Sequence, residues 1–194
     1  MRAFLGLGAN LGDPVAQFEA ALRALVRRGV GVLRRSSLYR TIPIGPPQPD
    51  YVNAVVEVET ALSPAGLLAA ILEIERSLGR RREARWGPRL LDIDILLCEG
   101  IVVHEPGLDV PHAELKARAF VLVPLAEIDP SAVHPELGRT AAQLRDELGE
   151  PSLRDVRRLD IAWPGTLGSL PDETARDPRP GQHPGVHRPR SGQG

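Results

Sequence analysis

The stretch from Arg80 to Leu97 constrains this chain more than any other, because it joins an arginine-dense loop to a strand carrying carboxylates. Arg80, Arg81, Arg82 and Arg85 lead into Trp86-Gly87-Pro88-Arg89, a turn signal, since Pro fixes φ and Gly permits a sharp bend. The following residues have period two: Ile93, Ile95 and Leu97 point to one side, Asp92 and Asp94 to the other. Asp is depleted in strands, so two of them at i and i+2 on one face call for a reason. Their Cα atoms lie about 7 Å apart, within reach of a shared pair of hard cations. Mg²⁺ is commonly held by one or two carboxylates with phosphate oxygens and water, and arginines supply forked donors to those oxygens. The alternative is a solvated face on an edge strand. The arginine-rich approach to the strand favours metal and polyphosphate.

At 194 residues, 42% of them hydrophobic, the chain suits a single domain of residues 1–163 with a tail at 164–194. A formal net charge of −1 gives no global basic field to draw it to nucleic acid or to an anionic membrane. Cys98, the lone cysteine, excludes an intramolecular disulfide, and its apolar strand favours a buried, inert thiol. No signal peptide and no transmembrane stretch can be read, so a cytoplasmic monomer acting on small molecules is expected.

In chain order, Arg2 to Leu7 reads as a buried strand and Asp13-Pro14 as the start of a helix running to about Arg28. Gly6-x-Gly8 has the wrong spacing for a dinucleotide fingerprint and is read as part of a tight turn, from which Asn10 can face a site. Val30 to Tyr39, with Ser36 and Ser37 inside it, reads as one strand, followed by a proline-rich loop from Thr41 to Asp50. Tyr51 to Thr60 resumes as a strand, with Tyr51 and Asn53 on one face at its mouth. Asn suits the amide edge of a planar heterocycle and Tyr its face; the structural alternative is a Tyr packed on the core and an Asn satisfying the loop. Ser63-Pro64 starts a second helix that Gly79 stops. Glu75 lies one turn before that end, where negative charge opposes the helix dipole.

Ile101 to Val103 is then read as a short strand, which makes the order β-α-β-β-α-β. The reading is thus α/β (α+β), a ferredoxin-like core with added C-terminal helices and a strand. Those additions are a helix over Val121–Ile128 interrupted by Pro124, a capped helix over Thr140–Leu148, and a strand over Val156–Trp163. Residues 164–194 are rich in Pro, Gly and Arg and are expected to be disordered.

These pieces resemble one family, the 6-hydroxymethyl-7,8-dihydropterin pyrophosphokinases of folate biosynthesis. The resemblance spans roughly residues 1–163. It rests on Gly8-Ala9-Asn10-Leu11-Gly12, Tyr39-Arg40-Thr41, Gln48-Pro49-Asp50-Tyr51-Val52-Asn53, Arg85-Trp86-Gly87-Pro88-Arg89 running into Leu91-Asp92-Ile93-Asp94, Val110-Pro111-His112, and Arg118-x-Phe120. It implies transfer of pyrophosphate from ATP to the pterin's hydroxymethyl group, releasing AMP. By the same resemblance, Asp92 and Asp94 would bind two Mg²⁺, and Tyr51 and Phe120 would sandwich the pterin. Asn53 and the backbone from Thr41 through Pro43 to Ile44 would bond the pterin's edge, with Trp86 on a loop that closes over both substrates. Arg80, Arg82, Arg89, His112 and Arg118 would hold the triphosphate and Glu75 the nucleoside end. Arg81 fits the position given to Arg82 equally well. The chain departs from the family pattern at Gly107, Asp109 and Ala113. A ferredoxin-like RNA-binding module is disfavoured, since that sheet needs paired aromatics where this one has carboxylates. A kinase yielding ADP and a monophosphate is the remaining rival.

Overall fold

The computed structural model describes residues 1–43, 47–79, 87–161 and 163. In order these form β1 (Arg2–Ala9), α1 (Pro14–Val26), β2 (Val30–Arg35), β3 (Tyr39–Thr41), β4 (Tyr51–Thr60), α2 (Pro64–Ser77) and β5 (Asp92–Cys98). Then come β6 (Val103–Glu105), β7 (Leu108–Val110), α3 (Ala119–Ile128), β8 (Val133–His134), β9 (Arg139–Thr140), α4 (Ala141–Glu147), α5 (Gly149–Arg154) and β10 (Val156–Arg158).

Both long helices begin as their sequences dictate. The Asp13 carboxylate accepts the Ala16 N–H at 3.1 Å, and Ser63 Oγ accepts the Gly66 N–H at 3.1 Å. Each cap is followed by a proline at the first helical position, where no N–H is needed. Gly79 ends α2 at φ +93, a conformation that side-chain-bearing residues rarely adopt.

The main sheet is antiparallel in the order β10-β3-β4-β1-β5, with β2 also on β4. β4 pairs with β1 along one edge and with β2 and β3 in succession along the other. Phe18, Leu22, Leu25, Leu67, Ile71 and Ile74 of α1 and α2 pack on one sheet face, against residues such as Leu5, Val56 and Ile93. Burying each such Leu or Ile contributes about 1.5–3 kcal/mol before entropy is counted. On the other face Leu122 and Leu125 of α3 cover Phe4, Val55, Leu96 and Leu97.

Several expectations need correction. Val30 to Tyr39 is two strands, not one, because Ser36 interrupts the ladder with its side chain. Its N–H donates to Val55 O at 2.9 Å, while its Oγ accepts the Val55 N–H at 2.9 Å. In β5 the register with β1 slips between Phe4 and Leu5, so Leu97 packs toward α3 while Ile93 and Ile95 face α1 and α2. Gly6 and Gly8 lie inside β1, not in a turn. The short strand expected at Ile101 begins at Val103 and pairs with β7, Ile101 making only a bridge to Cys98. α3 runs through Pro124 without interruption, forgoing one backbone bond inside a helix that is buried on most sides. β10 is limited to Val156–Arg158, and α5 was not foreseen. The expected tail lies outside the described residues.

Ser36 offers a direct test of the interrupted ladder. It is 2% exposed, and Ser36→Ala strands the Val55 N–H without its acceptor. Urea unfolding should show a loss of about 1–3 kcal/mol. An unchanged midpoint would mean that the strand closes up around the alanine.

Candidate active site

The part of the sheet face that α3 leaves bare forms the floor of a cavity of about 340 Å³. Directly paired residues share a face, so register alone defines two rows across the floor. One row is Asn53–Gly8–Asp92 and the other Val55–Gly6–Asp94. The middle member of each row is a glycine. A Cβ at Gly8 would lie 3.3 Å from Asn53 Oδ1, and one at Gly6 would lie 3.2 Å from Leu96 Cδ2. The two glycines therefore let Leu96 and Asn53 come close over β1 while both still line the cavity floor.

Asn53, Thr41 and Tyr51 furnish one side. Asn53 is 6% exposed, and its Nδ2 donates to Thr41 Oγ1 at 2.7 Å, which fixes the amide and turns its Oδ1 toward Gly8. Tyr51 OH donates to Gly87 O at 3.2 Å, and burial raises its phenol above the ordinary value. Pro43 and Phe120 also line the cavity. The Arg118 guanidinium lies 5.7 Å from the centre of the Phe120 ring, a cation–π contact that brings the charge to the cavity wall.

The carboxylates furnish the other side. Arg89 donates to Asp92 Oδ1 at 2.6 Å. Enclosure by the cavity walls and the nearby Asp92 charge push the Asp94 carboxyl up, against the opposing pull of His112, Arg118 and Arg89. His112 Nε2 lies 3.9 Å from Asp94 Oδ2. Its Nδ1 accepts the Glu114 N–H at 3.1 Å, which leaves Nε2 to carry the proton of the neutral ring. The His112 N–H donates to Leu96 O at 2.9 Å, seating the turn after the cis Val110–Pro111 bond on the outer edge of β5. Such a pair of carboxylates, one carrying an unfavourable charge, is a fitting donor set for hard divalent cations.

The structure thus gathers Thr41, Pro43, Tyr51, Asn53, Arg89, Asp92, Asp94, Arg118 and Phe120 around one cavity, with His112 against Asp94. Ile44, Arg80, Arg82 and Trp86 lie outside the described residues. Glu75 is the exception. It is 1% exposed, on the helix packed behind the sheet, and its Oε1 accepts the Ile93 N–H at 2.8 Å. That bond supports β5 between the two aspartates, and Glu75 is not among the described residues lining this cavity. Gly6 and Gly8 are the residues that sequence reasoning misread; their place opposite Asn53 and Asp92 needed the strand register.

The sequence matches the family described as 7,8-dihydro-6-hydroxymethylpterin-pyrophosphokinase over residues 4–130. The chain belongs to this family. It is 50% identical over 134 residues to the 2-amino-4-hydroxy-6-hydroxymethyldihydropteridine pyrophosphokinase of Methylorubrum extorquens, covering 68% of this chain and 85% of that one. It is 45% identical over 148 residues to the enzyme of the same name from Pseudomonas aeruginosa, covering 74% and 89%. Among solved structures, it superposes on Plasmodium falciparum HPPK-DHPS with a TM-score of 0.65 at 18% identity, over 81% of this chain. The match covers 48% of that longer chain, and at this identity it speaks to fold alone. As a pyrophosphokinase of this family, the chain has a cavity suited to a reaction between two ligands.

The Asp94 environment yields a pH prediction in the absence of divalent cation. Its carboxyl is raised on folding from 3.8, so the native state holds the proton more tightly than the unfolded chain. Stability is therefore lost as pH rises from the ordinary carboxylate value through the raised one. Denaturation of wild type and Asp94→Asn in chelator should show the variant more stable at neutral pH, with the gap closing below pH 3.8. Parallel curves across that range would contradict the electrostatic reading.

Proposed function

We propose that the two rows across the cavity floor divide it into a pterin side and a nucleotide side. The reaction is that of the family: pyrophosphate passes from ATP to the hydroxymethyl group of 6-hydroxymethyl-7,8-dihydropterin, releasing AMP, in folate biosynthesis. One observation carries the division. Asn53 and Asp92 lie on the same face, on strands either side of Gly8, so their backbones are about 10 Å apart. A flat heterocycle whose edge meets Asn53 and Thr41 then lies over Gly8 with its reactive arm toward the aspartates. Tyr51 and Phe120 flank it.

Arg89, His112 and Arg118 hold the triphosphate in this reading, and Asp92 and Asp94 hold two Mg²⁺. Bound there, the metals would neutralise phosphate charge and make the hydroxyl more acidic. The hydroxymethyl oxygen bonds to the β-phosphorus, the bond from that phosphorus to the bridging oxygen breaks, and AMP departs with the electron pair. Transfer of this kind draws most of its rate from positioning and charge neutralisation, which the arginine fork and the paired carboxylates supply. No side chain is assigned as a general base. The resemblance adds Arg80, Arg82, Trp86 and Ile44 to the site. We read the core as ferredoxin-like, a reading supported by the antiparallel order β2-β4-β1-β5. Among the described residues no helix is long and apolar enough to cross a membrane, and we take the working form to be a cytoplasmic monomer.

Incubation with ATP, hydroxymethyldihydropterin and Mg²⁺ should yield AMP and the pyrophosphorylated pterin; ADP with a monophosphate would overturn the assignment. Asp92→Asn and Asp94→Asn should each lower kcat by at least about a hundredfold, the scale of losing one preorganised electrostatic group. Calorimetry should show pterin binding without nucleotide little changed in both. Near-normal turnover in either variant would remove that aspartate from the metal set.

A further inference from the structure

Trp163, one of two tryptophans in the chain, is not among the described residues lining the cavity, yet three contacts hold it in place. Its Nε1–H donates to Ser36 O at 2.8 Å. Its ring centre lies 5.9 Å from that of Phe18, which is fully buried on α1. The Arg35 guanidinium sits 5.1 Å from the centre of the Trp163 ring, and the Glu19 carboxylate accepts from that guanidinium at 2.6 Å. Between this anchor and β10 the Leu159 N–H donates to Leu38 O at 2.8 Å. Val156, Arg157 and Arg158 then pair with Thr41, Arg40 and Tyr39. Residues 156–161 with Trp163 thus form a strap along the outer side of Ser36 to Thr41, whose inner side meets Val55, Asn53 and Tyr51.

We infer that Trp163 is a positioning residue for the heterocycle: it clamps the strap that keeps β3 in the register which the Thr41–Asn53 bond requires. The inference rests on the pterin side assigned above to Thr41 and Asn53. β3 has three residues, and Ser36 cuts it off from the longer ladder of β2. A slip of one residue in so short a strand would turn Thr41 to the opposite face and take its Oγ1 away from Asn53 Nδ2. Pairing along both edges opposes that slip. The strap's own ladder is a weak brace, because it sets Arg157 directly opposite Arg40, and like charges so placed repel. Asp50, 3.1 Å from Arg40, offsets some of that charge. The firm hold is at the far end, where Phe18 and Arg35 pack on the Trp163 ring and its N–H is bonded to Ser36 O. A staple that served stability alone would lower the melting temperature and leave the affinity of the folded protein for pterin untouched.

The test is calorimetry on the full chain with Mg²⁺, at a temperature where circular dichroism shows each variant folded. α,β-Methylene-ATP is titrated alone, and hydroxymethyldihydropterin with that analogue saturating. Trp163→Ala should weaken pterin binding about fivefold or more, the scale of one lost hydrogen bond, and leave binding of the analogue within about twofold. In turnover the loss should appear in KM for the pterin and not in kcat. Leu159→Pro removes the N–H bonded to Leu38 O and so cuts the strap between the anchor and β3, at a sheet edge where proline is tolerated. It should reproduce the selective loss, and it serves if the alanine variant does not fold. Wild-type pterin affinity in either folded variant, or equal weakening of both ligands, would overturn the inference while leaving the functional reading intact. Failure of the wild type to bind pterin would instead bring down the functional reading, and this inference with it.

Discussion

The site depends on a strand that withholds side chains. β1 is central in the sheet and carries buried residues toward α1 and α2, yet on its other face it offers only glycine at positions 6 and 8. Its neighbours β4 and β5 present the buried Asn53 amide and a pair of carboxylates on that same face. With a larger residue at Gly8, crowding Asn53 Oδ1, the two chemistries would be separated. Because they are not, a planar ligand and a polyphosphate can lie side by side over one floor.

The rest of the architecture keeps that floor flat and its rim in place. β5 is an edge strand, and its outward backbone groups would otherwise be bare. Glu75 from behind and His112 in the turn after β7 satisfy two of them, at Ile93 N–H and Leu96 O. α3 closes the far end of the same face and sets Arg118 and Phe120 at the cavity wall. Farther along, buried Glu57 takes both Arg2 and Arg34, while Asp129 at the end of α3 accepts from Arg2 at 2.7 Å. Taking one partner from such a buried cluster leaves uncompensated charge, which is costly. The network thus ties the helix over the site to the sheet beneath it.

Much of this was legible in the chain because it is local. The Asp-x-Asp alternation, the Asp13 and Ser63 caps, and the shared face of Tyr51 and Asn53 follow from period and propensity alone. What was not legible depends on partners distant in sequence. Period two assumed an unbroken ladder, so the slipped register beside Leu5 and the Ser36 interruption were invisible. Gly6-x-Gly8 looked like a turn because glycine has no signature for close approach; its meaning lies in Asn53 and Asp92. Pro124 signals a break unless burial outweighs one missing hydrogen bond, as it does in α3. Glu75 was assigned through the resemblance alone, and its bond to the Ile93 N–H behind the sheet could not be read from its place on the helix.

The central claim is that the bare floor at Gly8 is where the heterocycle lies. Gly8→Val tests it most directly, since the position has ordinary strand geometry and valine favours strands. Calorimetry with hydroxymethyldihydropterin, alongside circular dichroism of the same samples, is the measurement. A folded variant that has lost pterin binding by at least about tenfold is the predicted result. A folded variant that binds pterin as tightly as wild type would contradict the account.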